Sequence, residues 1–72
     1  MAYIEIPDGL LSDSEMSIFQ EGIRDAVDEK KRTGRMTLSR FIDIIKSVCS
    51  YIWDKIKNII SGIWDSIKDF FS

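Results

Sequence analysis

The chain contains no histidine and a single cysteine, Cys49. An internal disulfide is therefore excluded, and a conventional zinc ligand set is missing. Without histidine there is no ordinary base to activate a thiol or hydroxyl nucleophile. Cys49 sits at an apolar position of the pattern described below and reads as a small core residue. The expectation is a protein that is not an enzyme, with no catalytic residues, no metal, no cofactor and no small-molecule substrate. Charge of one sign is also scarce, with 12 acids against 10 bases and a net charge of −2. Residues 1–36 carry eight acids and five bases, and residues 37–72 four acids and five bases. Neither half has the positive field that nucleic-acid binding requires, so a nucleic-acid partner is not expected.

Long apolar runs are absent as well. A charge interrupts the C-terminal half every few residues, which excludes a membrane span of ~20 mostly apolar residues. The N-terminus places an acid and a proline, Glu5 and Pro7, where a secretory signal needs a basic start and an apolar run. The expected location is the cytoplasm or an assembled particle, with a membrane-peripheral position as the alternative. A chain of 72 residues is one domain at most. Chains this short bury only ~60% of their unfolded surface and usually need a staple or a partner. Since disulfide and metal are excluded, the expected stabiliser is oligomerisation or a larger protein surface.

What the chain does have is a repeat. Residues 41–51, 52–62 and 63–72 align as three copies of one 11-residue pattern. Asp stands at the third position (Asp43, Asp54, Asp65), Ile at the fifth (Ile45, Ile56, Ile67) and Lys at the sixth (Lys46, Lys57, Lys68). Apolar residues fill the first, second, fifth, eighth and ninth positions of every copy. Such a period is close to three α-helical turns, at ~3.67 residues per turn, so the pattern stays on one face. At roughly 98° per position the apolar arc spans about 130°, broader than an ordinary amphipathic stripe. Trp53 and Trp64 fall at one edge of this arc.

The predicted fold is all-α, a helical hairpin with an extended N-terminal arm. The arm covers residues 1–12, with a strand-like stretch at 3–6 followed by a turn at Pro7-Asp8-Gly9. The first helix covers 13–33. It is opened by the Ser12/Glu15 capping box, carries the apolar stripe Met16, Phe19, Ile23, Ala26 and Val27, and is closed by Gly34. Its basic end, Lys30 to Arg35, reads as a solvated terminus complementing the helix dipole. The acids Glu21, Asp25, Asp28 and Glu29 lack calcium-loop spacing. After a loop at 34–37, with Thr37 or Ser39 as N-cap, a long second helix covers 38–71. Gly62 is its expected weak point, since a helix-interior glycine costs ~1 kcal/mol relative to alanine.

In an antiparallel hairpin the first helix reaches only to about residue 58, by length. Ile59, Ile60, Ile63, Trp64, Ile67, Phe70 and Phe71 are then left without an intramolecular cover. An apolar patch of that size marks an interface. The expected interaction face is Ile45, Val48, Ile52, Trp53, Ile56, Ile59, Ile60, Ile63, Trp64, Ile67, Phe70 and Phe71. The leading reading is a non-enzymatic, self-assembling or docking protein, a homo-oligomer or part of a larger assembly. The alternative is a peripheral membrane protein whose second helix lies in the lipid interface, its tryptophans at headgroup level.

The stretch from Ile52 to Phe71, with Trp53-Asp54-Lys55-Ile56-Lys57 and Trp64-Asp65-Ser66-Ile67-Lys68 in register, resembles the Trp-x-x-Ile-Lys repeats of phage tail tape-measure proteins. The resemblance implies a phage or prophage source and a helix that bundles with copies of itself and can meet a membrane. Residues 1–36 carry no such likeness.

Overall fold

The computed structural model describes residues 6–68, all of whose regular structure is helical. Helix α1 spans Asp13–Thr33 and α2 spans Leu38–Val48. A 3₁₀ turn follows at Ser50–Ile52, then a short helix α3 at Trp53–Ile56 and α4 at Ile60–Ile67.

The starts of α1 and α2 and the end of α1 follow from local chemistry. The Ser12 N–H donates to Glu15 Oε1 at 2.8 Å and the Glu15 N–H donates to Ser12 Oγ at 3.2 Å, completing the capping box. Gly34 closes α1 at φ +81°, a conformation that costs a glycine nothing, and its N–H donates to the Lys30 carbonyl at 2.8 Å. Thr37 caps α2, its Oγ1 accepting the Arg40 N–H at 3.2 Å. The turn at residues 7–10 is present, closed by the Leu10 N–H on the Pro7 carbonyl at 3.2 Å. Within the arm, Ile6 and Leu11 pack against the core. The strand-like stretch at 3–6 otherwise lies outside the described residues.

The long second helix is the expectation that fails. A straight helix from Leu38 to Lys68 would measure roughly 46 Å, whereas the molecule's longest extent is 33 Å, about the length of α1 alone. The chain leaves helical geometry at Cys49 (φ −108°, ψ 32°), at Ile52 (φ −113°, ψ 8°) and at Ile59 (φ −108°, ψ −3°). Gly62 is not a bend; it sits inside α4, exposed. The bends fall beside Ser50 and Asn58, residue types whose side chains compete for backbone hydrogen bonds and weaken helices.

Bending is inexpensive here because the backbone stays bonded. The Ile52 N–H donates to the Cys49 carbonyl and the Ile59 N–H to the Ile56 carbonyl, both at 3.0 Å, in 3₁₀ fashion. In return α4 folds back onto α2. Ile60, Ile63 and Ile67 become buried, and the Trp64 ring meets Phe41 with centroids 5.5 Å apart. Each buried isoleucine contributes ~1.5–3 kcal/mol, against ~0.5–1.5 kcal/mol for a hydrogen bond weakened at each bend. Burial wins.

Candidate interaction surface

The repeat supplies a spine of core residues. Its first position (Phe41, Ile52, Ile63), fifth position (Ile45, Ile56, Ile67) and ninth position (Cys49, Ile60) are all buried. The second and eighth positions flank that spine as a half-buried rim: Ile42, Trp53 and Trp64 on one side, Val48 and Ile59 on the other. The chain bends toward its own apolar face, so the same positions stay inward on both sides of each bend.

This overturns the expectation of an uncovered face. Ile45, Ile52, Ile56, Ile60, Ile63 and Ile67 lie in the chain's own core, and Val48, Trp53, Ile59 and Trp64 are half-covered by it. Phe70 and Phe71 lie outside the described residues. With α4 turned back, Ile59, Ile60, Ile63, Trp64 and Ile67 are wholly or partly covered within the chain. Among the described residues the large hydrophobic left in solvent is Tyr51, 96% exposed, at the corner between α2 and α3.

Helix α1 meets this spine through Phe19, Gly22 and Ala26, all buried. Met16, Ile23 and Val27 of the expected stripe are only partly buried. Gly22 was missing from that stripe because glycine carries no hydrophobic weight. A Cβ built there would lie 2.9 Å from Ile45 Cδ1 and 3.2 Å from Cys49 Sγ, so its missing side chain lets the helices approach. The signal in the sequence is weak, because a glycine inside a helix pattern costs ~1 kcal/mol relative to alanine whether it packs closely, as Gly22 does, or lies open, as Gly62 does. Cys49 Sγ donates to the Ile18 carbonyl at 3.6 Å, and burial pushes the thiol pKa up to about 11, with the Glu21 charge adding to the effect. That suppresses the thiolate, the reactive form.

Two ion pairs bind the hairpin at its ends. Near the loop, Arg40 donates from Nε and Nη2 to the two Glu29 carboxylate oxygens, both at 2.6 Å. At the far end of α1, Lys55 Nζ donates to both oxygens of Glu15 at 2.9 and 2.8 Å. The second pair links α3 to the start of α1, close to the limit of reach expected from helix length. A groove of about 380 Å³ between α1 and α2 is lined by Asp25, Asp28, Glu29, Arg32, Arg40 and Asp43, among others. Among the described residues no group of three or more His, Cys, Asp or Glu side chains is placed to hold a metal ion.

Both bridged carboxylates are held below the usual carboxylate range. The Lys55 hydrogen bond does this first for Glu15, joined by the Ser12 backbone N–H, and the Arg40 hydrogen bond does it for Glu29. A lowered folded pKa means that the unfolded chain takes up protons first as pH falls. The stabilisation is present above the ordinary glutamate value of 4.5 and is lost as pH drops through the lowered ones. Urea titrations at pH 7 and pH 3 should show a midpoint that falls with acid. In Glu29→Gln this fall should shrink, and an unchanged acid sensitivity would contradict the Glu29–Arg40 pairing. Both carboxylates are largely covered, but their partners Arg40 and Lys55 are about half-exposed, so the effect should weaken in high salt.

A family model, that of the TMP repeat, matches residues 53–63 and 64–72. The likeness is local: it spans α3 and α4, the last two copies of the pattern, and leaves residues 1–52 unmatched. No curated protein and no solved structure matches the chain. Among the described residues no helix is long and apolar enough to cross a membrane.

Proposed function

We propose that this chain is a non-enzymatic structural protein that associates with copies of itself or with a larger protein assembly through its C-terminal repeats. The observation that carries this reading is the TMP-repeat match at 53–63 and 64–72, which points to a role of the tape-measure kind in a phage-like particle. An uncovered apolar face no longer supports it. What does support it is the rim of Trp53, Ile59 and Trp64, half-buried side chains along the matched segment that a partner could finish covering. The near balance of Asp and Lys in the same segment favours a protein partner over an anionic lipid surface.

Sedimentation across the micromolar range, with and without phospholipid vesicles, tests the reading. The expected result is a defined multimer in plain buffer, unchanged by vesicles. A folded monomer throughout would overturn it. A monomer whose tryptophan fluorescence shifts to the blue on added vesicles would replace it with the membrane-peripheral alternative.

A further inference from the structure

We propose that α4 is an exchangeable element: the turn at Lys57–Ile59 straightens, α3 and α4 join into one helix, and α4 docks on the α2 of a second copy of this chain. This rests on the self-association read above and names the surface and the partner.

The turn is close to a helix already. Lys57 has φ −56° and ψ −33°, and its N–H donates to the Trp53 carbonyl at 2.8 Å, as in an unbroken α-helix. Beyond the turn the Ile63 N–H donates to the Ile59 carbonyl at 3.0 Å, again an α-helical bond. Between them the helical ladder is interrupted across residues 57–59, and the Ile59 N–H takes the Ile56 carbonyl in its place. Continuing the helix requires Ile59 to move from φ −108° and ψ −3° to the helical values of about −63° and −42°, with the backbone bonds between Lys57 and Ile63 closing around it. Among the described residues no proline lies near the turn and positive φ is confined to Gly9 and Gly34. No polar or charged side chain there is buried, so opening strands none.

The repeat makes the exchange possible. Its apolar positions keep one phase across the turn, so straightening rotates none of them to the polar side of the helix. It only takes Ile60, Ile63 and Ile67 away from their own α2. A second copy opened in the same way offers an identical α2, with Phe41 at the place that Trp64 fills. The closed contacts are remade between chains with a two-fold relation, which is how domain swapping yields a dimer at low cost. The Glu15–Lys55 pair lies on the near side of the turn and remains within each chain.

A photocrosslink separates the exchange from other modes of association. A full-length chain carrying p-benzoylphenylalanine at position 64 is prepared in light and heavy isotope forms. The two are mixed, concentrated, irradiated, and the crosslinked peptides read by mass spectrometry. The expected product joins position 64 of one copy to the Phe41 peptide of another. A multimer whose 64-to-41 crosslinks all lie within one chain would overturn the exchange and leave the proposed function standing. A monomer at every concentration would overturn both. If the substituted chain does not fold by circular dichroism, a hinge pair decides. Asn58→Ala should tighten the dimer by roughly tenfold, from the helix propensity gained in two chains, while Asn58→Gly should loosen it. Dimer affinity indifferent to both changes would sink the proposal.

Discussion

Ile63→Asp is expected to unfold the chain, not merely to dissociate an assembly of folded copies. Ile63 is 3% exposed, at the first position of the last repeat copy, in the helix that closes on α2. Replacing it forfeits ~1.5–3 kcal/mol of apolar burial. The new carboxylate would sit in the core without a partner, which costs several kcal/mol more or forces protonation. A chain of 72 residues has about 4–11 kcal/mol of stability in total, from typical per-residue values. One substitution thus removes most or all of it. Asp65→Asn, two residues away on the solvent side, should change stability by less than about 0.5 kcal/mol. Its carboxylate is 73% exposed and meets Lys68 only at 3.8 Å, and exposed pairs of this kind contribute little. Far-ultraviolet circular dichroism and urea unfolding of the two variants provide the check. Helix content retained in Ile63→Asp would mean that α4 does not close the core.

Gly22→Val carries the second large effect. The first added carbon alone comes within 2.9 Å of Ile45 Cδ1 and 3.2 Å of Cys49 Sγ. Both of those residues are fully buried, so neither has solvent to move into. Valine adds two further methyls, and overpacking a filled core costs ~1–3 kcal/mol, occasionally more. Valine's better helix propensity recovers only a few tenths of that. A loss near 2 kcal/mol would lower the melting temperature by about 10 °C for a chain of this size. Gly62→Ala is the matched control. Nothing lies within 4 Å of a Cβ built at Gly62, so alanine should stabilise α4 by up to ~1 kcal/mol. The opposite signs are the test. If both glycines accept a side chain equally well, α1 does not approach α2 at Gly22.

Much of this molecule was legible before its structure. Ser12, Glu15 and Gly34 mark their helix ends because capping is decided within four or five residues of chain. Phe19 and Ala26 were legible as core for the same local reason, periodicity on one helix. Gly22 was not, because what matters there is an absent side chain facing Ile45 and Cys49, far away in sequence. The candidate interface suffered most. Its residues share one phase of the repeat, and those within the described segment line the core or its rim; they would be uncovered only if residues 38–71 stayed straight.

The sequence by itself determined which side of the C-terminal segment is apolar, through the phase shared by Phe41, Ile52 and Ile63 and by Ile45, Ile56 and Ile67. It also determined where α1 starts and stops. Only the tertiary structure decided that the segment bends at Cys49–Ile52 and again at Lys57–Ile59. Periodicity cannot encode that choice, because bending toward the apolar face keeps the same residues inward. The outcome depends on a comparison between distant parts of the chain, where burying Ile60, Ile63 and Ile67 against α2 outweighs two turns of weakened helical hydrogen bonding.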